Sequence, residues 1–310
     1  MAEIYYIQLT RKCNQNCRFC SNPANGNTIT LDGIKKLLSK YASQKAAGII
    51  FTGGEPTLYR YLPNAIRYAC KAGLPPRITT NGQKCAEIKY MESLKNSGLG
   101  HIHFSIYSHK KEVHEYLSRT PGSLDNLLKA IENAGKLGIR ADINTVINKH
   151  NSKDLHSLAG FIIKRFPFVK HFVFNNMDPG MDRAVEDTST VPVLTEFEAS
   201  LTLAMRLLHK TGRTFRVERV PLCFMSEFPE YSTETRKIIK REDRQTYFLD
   251  EKNLIRQTEW THGYGEKCGK CGARPICAGL FKADIYYKTD ELCPIFYDIE
   301  KVRRKVMAEE

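Results

Sequence analysis

The sequence predicts an α/β fold in which six repeated βα units form a partial or complete barrel, followed by a small cysteine-rich domain. Up to about residue 215, short runs rich in Ile, Val, Phe and Tyr alternate with longer stretches of helical period, the pattern of βα units around a parallel sheet. Gly73, Gly98 and Gly138 each follow a helical stretch, where a residue tolerant of positive φ ends the helix. Beyond about residue 216 the helical period weakens, and glycines crowd among cysteines from Gly263 to Gly279.

The expected strands are 4–9, 47–52, 77–80, 101–107, 142–147 and 169–174, and the expected helices 31–41, 63–71, 88–96, 123–137, 155–164 and 196–209. Pro63 suits a first helical position, where its missing N–H costs nothing. The chain is thus expected to divide into a barrel over 1–215 and a small domain over 216–310. Metal is expected to order the second part, because its apolar content is thin for a core of its own.

Composition narrows the class. The 310 residues are 42% hydrophobic and 26% charged, with no apolar run near the ~18 residues of a membrane span, so a soluble globular chain is expected. The start, MAEIYYIQLTRKC, lacks the features of a signal peptide, which places the protein in the cytoplasm. A reducing compartment disfavours disulfides and leaves metal binding or catalysis as the usual reason for clustered thiols. The formal charge of +13 attracts phosphates, nucleic acid or acidic peptides without choosing among them, and a solubilising surface reads equally well.

Three of the 10 cysteines, Cys13, Cys17 and Cys20, form a C-x3-C-x2-C loop directly after the first strand. Iron–sulfur clusters ordinarily take four cysteines, so three in one loop imply an iron left open to a cofactor or substrate. A zinc site completed by a remote ligand fits the spacing too. Phe19, before the third cysteine, would shield a cluster there, and the preceding strand puts the loop at the C-terminal mouth of a barrel, where barrel active sites sit.

The loop CNQNCRFC resembles the signature of the radical S-adenosylmethionine (SAM) superfamily. The resemblance implies a partial (β/α)6 barrel and a [4Fe-4S] cluster on Cys13, Cys17 and Cys20. Its open iron would hold SAM for reductive cleavage to a 5′-deoxyadenosyl radical. Further segments match in order. Gly53, Gly54, Glu55 and Pro56 resemble the turn that meets the SAM amino group through backbone atoms, an approach that glycines permit. Thr79, Thr80, Asn81 and Gly82 resemble a Thr-Asn-Gly segment lining the SAM site. Ser105 and Asn144 resemble polar SAM-contacting positions on the fourth and fifth strands, although a satisfied polar group at a strand end fits both equally well. Asn175, Asn176 and Met177 would border the adenine.

Cys268, Cys271 and Cys277 form C-x2-C-x5-C, with Cys293 further on. Four thiolates close either a second [4Fe-4S] cluster or a structural zinc. The segment CGKCGARPICAG resembles the SPASM or shortened twitch region of radical SAM maturases, which implies iron and sulfur. Phe281 stands where the full SPASM pattern has a further cysteine, and Cys223 alone remains of an upstream pair. One auxiliary [4Fe-4S] cluster is therefore expected on Cys268, Cys271, Cys277 and Cys293, with Cys223 a packed thiol or an alternative ligand. Cys70 and Cys85 are expected as ordinary packed thiols, and His101 and His103 as hydrogen-bonded structural residues.

The leading expectation is an enzyme that modifies a peptide or protein. No residue is singled out as catalytic. A cysteine loop beginning a dozen residues in leaves no room before it for a leader-recognition domain, so a separate leader-peptide-binding protein is an expected partner, with flavodoxin or ferredoxin as reductant. The second choice is modification of tRNA or a nucleotide-derived metabolite, suited by the basic balance but unsupported by an RNA-binding motif. A zinc-ribbon binding protein is the non-enzymatic alternative. No membrane partner is expected.

Overall fold

The computed structural model describes residues 4–181 and 183–308. Seven strands run parallel in consecutive order: β1 (Ile4–Thr10), β2 (Gly48–Gly53), β3 (Pro76–Thr80), β4 (His101–Ser105), β5 (Arg140–Ile147), β6 (His171–Asn176) and β7 (Thr214–Glu218). On the other side of β1, β8 (Arg244–Tyr247) pairs in parallel, and β9 (Leu254–Gln257) closes the edge antiparallel to β8. The helices are α1 (Leu31–Ser43), α2 (Leu62–Lys71), α3 (Ile88–Asn96), α4 (Lys111–Ser118), α5 (Ser123–Lys136), α6 (Leu155–Arg165), α7 (Arg183–Glu186), α8 (Leu194–Lys210), α9 (Thr233–Lys240) and α10 (Ile299–Ala308). None of the described helices is long and apolar enough to cross a membrane.

The six expected units are present. In α1, Thr30 caps the N-terminus by accepting from the Gly33 N–H, and Ile34, Leu38 and Tyr41 recur on one buried face. Outward-facing strand residues such as Phe51, Phe104, Phe172 and Phe215 are fully buried beneath the helices, each worth about 1.5–3 kcal/mol.

Two features differ from the expectation. The seventh strand, β7, adds to the six foreseen, and residue 215, where the sequence pattern changes, lies inside it. Only Phe215 and Val217 of its five residues are apolar and buried, too short an alternation to stand out beside the long helix α8. The cysteine-rich part also shares the barrel's core: Ile276, Leu280, Tyr287, Leu292, Val302 and Val306 belong to the same apolar cluster as the barrel strands. Ordering of this segment therefore draws on packing as well as on any metal.

His103 on β4 and His171 on β6 are enclosed in the lower barrel, and burial pushes both down, to about 3 and about 4. Unfolded histidine takes a proton near pH 6.5, so the unfolded chain binds protons first as pH falls. Stability is then complete above about pH 6.5 and falls below it by up to about 1.4 kcal/mol per pH unit for each histidine. Asp142 acts in a lower window. Burial raises its pKa, but the His101 hydrogen bond and the neighbouring histidines hold it at about 2, so its contribution is lost only below its unfolded value near 3.9. The urea midpoint of cluster-free protein is expected to be lower at pH 5.5 than at pH 7.5, whereas equal midpoints would contradict neutral buried histidines.

Candidate active site

The cysteine loop is fixed before any metal binds. The Asn16 and Arg18 N–H groups donate to the carbonyls of Ser118 and Leu117 at the end of α4 (3.2 and 2.9 Å). Arg183 on α7 donates through its side chain to the Cys17 carbonyl (3.2 Å), and Arg18 pairs with Asp187 (3.2 Å) while lying over the Tyr116 ring. Such anchoring removes loop entropy that metal binding would otherwise have to offset.

The turn after β2 is joined to this loop by backbone. Gly54 and Glu55 N–H groups donate to the carbonyls of Thr10 and Lys12 (2.7 and 2.8 Å). Gly53 has φ +133°, and a Cβ on it or on Gly54 would lie 2.3 or 2.4 Å from the Thr10 or Lys12 carbonyl oxygen. Backbone oxygens cannot step aside as a side chain would. Gly54→Ala is expected to push the two loops apart, costing about 1–3 kcal/mol; an unchanged melting temperature would show that the approach is not needed.

Glu55 is 1% exposed. One carboxylate oxygen accepts from the Thr57 N–H (3.0 Å), the Thr57 hydroxyl (2.6 Å) and the Thr80 hydroxyl (2.6 Å), and the other from the Asn81 N–H (2.8 Å). Burial pushes this carboxyl up while the four donors pull it down. The side chain thus binds the β2 turn to the end of β3, and Thr80 is occupied in holding it. Asn81 in turn donates to Asn14 in the cysteine loop (2.8 Å) and lies 3.9 Å from the Cys13 sulfur.

These loops frame a cavity of about 260 Å³ at the C-terminal mouth of the barrel. Its lining brings together Cys13, Cys17, Cys20, Phe19, Gly53, Gly54, Glu55, Thr80, Asn81 and Ser105. Phe19 packs edge-on against Tyr107 (4.9 Å). Asn144 is in register with Ser105 and is not among the lining residues, but its buried Oδ1 lacks a partner. Asn175 and Met177 face the cavity; Asn176 instead accepts from the Tyr287 hydroxyl (3.1 Å). Tyr107 and Arg219 also line the cavity and were not foreseen. Arg219 lies just beyond β7 with φ +58°, donates to Asn175 Oδ1 (2.8 Å) and sits over the Phe281 ring (5.2 Å). Recognising β7 as a strand would have placed Arg219 at the mouth.

The sulfurs have the surroundings of metal ligands. Backbone N–H groups of Gln15, Asn22, Ile295 and Gly279 point at Cys13, Cys20, Cys271 and Cys277 (3.4, 3.4, 3.4 and 3.3 Å), as suits thiolates in a cluster site. Without metal, burial pushes Cys13 up to about 11 and Cys17 up to about 12, so metal binding must displace protons. Among the described residues, only His101, His103 and Asp142 bring three His, Cys, Asp or Glu ligand atoms within 4.8 Å of one another. Cys223 lies with the C-terminal group, its sulfur bonded by the Cys293 backbone. Cys85 is fully buried as expected, but Cys70 is exposed, with its sulfur near the Gly98 carbonyl (3.7 Å) rather than packed in the core.

Residues 7–162 match the profile of the Radical SAM superfamily, and the chain belongs to that superfamily. It is a radical SAM enzyme, and the family implies SAM and a [4Fe-4S] cluster. Fe-coproporphyrin III synthase of Methanosarcina barkeri is 29% identical over 154 residues, 48% of this chain and 38% of that protein. A probable GTP 3′,8-cyclase of Methanocella arvoryzae is 31% identical over 156 residues, 48% of each chain. PqqA peptide cyclase of Rhodopseudomonas palustris is 26% identical over 160 residues, 50% of this chain and 41% of that one. The matched stretch thus spans less than half of each of these relatives. Over nearly the whole chain the fold is similar to that of Streptococcus suis SuiB bound to precursor peptide SuiA (TM-score 0.68, 15% identity, 95% of this chain and 76% of that one). It is also similar to native anSMEcpe with bound AdoMet (0.67, 13%, 98% and 96%).

Proposed function

We propose that this chain is a maturase that modifies a peptide or protein by radical chemistry, with a barrel over 1–215 and an auxiliary-cluster domain over 216–310. A [4Fe-4S] cluster on Cys13, Cys17 and Cys20, with SAM on its open iron, supplies a 5′-deoxyadenosyl radical when bound. The chain's own residues orient and enclose. The turn at Gly53, Gly54 and Glu55 presents backbone to the SAM amino group, with Glu55 holding that turn against Thr80 and Asn81. Ser105 offers a hydroxyl without a protein partner among the described residues, and Asn144 a buried carbonyl oxygen. Phe19 and Tyr107 shield the cluster side from water. Cys268, Cys271, Cys277 and Cys293, with Cys223 as an alternative, would hold one auxiliary [4Fe-4S] cluster.

The observation that carries the peptide reading is the C-terminal region. Tyr287 donates to Asn176 Oδ1 and the Met177 carbonyl (3.1 Å each), so this cysteine-bearing segment is tied to the rim of the SAM cavity. The fold likeness that takes in this region is to SuiB bound to precursor peptide SuiA and to anSMEcpe with bound AdoMet and Kp18Cys peptide. A separate leader-binding protein and a flavodoxin or ferredoxin would complete the system. The second reading, a nucleotide or tRNA substrate, draws on the +13 charge and the GTP cyclase relatives.

The two readings separate in one assay. Reconstituted protein is incubated anaerobically with SAM, dithionite and fractions of host lysate, and 5′-deoxyadenosine is measured. Stimulation abolished by protease treatment of the fraction is the expected result; stimulation abolished by nuclease would overturn the peptide assignment in favour of RNA.

A further inference from the structure

Cys17 differs from the other two thiols of its loop in what surrounds it. Cys13 and Cys20 accept from the backbone N–H groups of Gln15 and Asn22 (3.4 Å each). The Cys17 sulfur instead meets two side chains, the Tyr107 hydroxyl at 3.7 Å and the Gln15 amide, whose Oε1 lies 3.6 Å away. Asn81 approaches Cys13 only to 3.9 Å, and its amide already donates to Asn14 (2.8 Å). The Tyr107 ring is held by its neighbours: it stacks on His114 of α4 (5.3 Å, 19° between planes) and meets Phe19 edge-on. Its backbone N–H donates to His114 Nδ1 (3.3 Å), and its carbonyl accepts from Asn151 (2.9 Å). Among the described residues, the hydroxyl has no polar partner besides the Cys17 sulfur. Gln15 Nε2 is buried and has no partner.

We propose, on the reading that Cys13, Cys17 and Cys20 hold a [4Fe-4S] cluster, that Tyr107 and Gln15 donate hydrogen bonds to the Cys17 thiolate and thereby raise the reduction potential of that cluster. A cysteine that ligates iron is a thiolate and has no proton to give, so the Tyr107 hydroxyl is the donor in that pair. The Gln15 amide accepts from the Cys17 S–H in the metal-free chain. Opposite a thiolate it turns over, since the two ends of an amide have nearly the same shape, and the orphaned Nε2 gains a charged acceptor. Hydrogen bonds to cluster sulfurs are among the determinants of the potential. They stabilise the reduced cluster, which carries one more negative charge, more than the oxidised one, and so ease the uptake of the electron. Both residues act through Cys17 as positioning residues, and neither needs to touch SAM.

An anaerobic redox titration of the reconstituted full chain with dithionite, monitored by electron paramagnetic resonance, tests this. The signal followed is the one missing from the Cys13, Cys17 and Cys20 alanine variant, which sets it apart from any auxiliary centre. Tyr107→Phe keeps the ring contacts with Phe19 and His114 and removes only the hydroxyl. At a fixed potential it is expected to lower the ratio of reduced to oxidised cluster about tenfold, a fall of about 59 mV in the one-electron midpoint. Gln15→Leu is expected to shift the midpoint in the same direction, and Tyr68→Phe on α2 to leave it unchanged. Gln15→Leu also carries the test should Tyr107→Phe fail to take up iron. Wild-type or higher midpoints in variants with full iron and sulfide would overturn the proposal. Absence of the signal from the wild type would instead refute the cluster assignment, so the two failures are told apart.

Discussion

Replacing Cys13, Cys17 and Cys20 together with alanine is expected to abolish reductive SAM cleavage and to lower the iron content of reconstituted protein from about eight to about four atoms per chain. The three thiols come from one loop already anchored to α4 and α7, so their loss removes the cluster's ligands without dismantling the barrel around them. Replacing Cys268, Cys271 and Cys277 is expected to halve the iron as well, while deoxyadenosine formation without substrate persists. The pair of variants therefore separates the two centres. Equal loss of SAM cleavage in both would mean that the C-terminal thiols serve the first centre, and unchanged iron in either would rule out its assigned ligands.

Glu55→Ala is expected to be the most destabilising single change at the site. It leaves the buried N–H groups of Thr57 and Asn81 without acceptors, and the Thr57 and Thr80 hydroxyls without theirs. At about 1–3 kcal/mol for each stranded buried donor, partly relieved by rotation of the hydroxyls, the loss is about 3–5 kcal/mol. SAM affinity should fall with it, because the turn at Gly53 and Gly54 would lose its tie to β3. Glu55→Gln keeps acceptor capacity on one oxygen and should cost less. Denaturant midpoints and SAM-binding isotherms of the three proteins check this; wild-type stability in Glu55→Ala would show that the carboxylate is not the joint described here.

Local signals made much of this legible in the sequence. The cysteine loop, the Gly-Gly-Glu-Pro turn and the six βα units each announce themselves within a few residues. The role of Glu55 in joining β2 to β3 could not be read that way: Thr57 is local, but Thr80 and Asn81 lie 25 and 26 residues on and meet it only through the register of β2 with β3. Arg219 was hidden because β7 is a five-residue strand whose inward side chains are polar. The C-terminal region reads as thin in apolar residues because its core is completed by the barrel, a fact of tertiary packing. His101 was legible as a hydrogen-bonded residue, but its partner Asp142 lies 41 residues on and meets it only through the pairing of β4 with β5.

Chromatographic detection of 5′-deoxyadenosine, after anaerobic incubation of reconstituted wild-type protein with dithionite and SAM, tests the radical assignment most directly. Deoxyadenosine from the wild type and none from the Cys13, Cys17 and Cys20 variant is the predicted result. Protein that holds zinc without acid-labile sulfide, and forms no deoxyadenosine even with lysate peptides present, would contradict it.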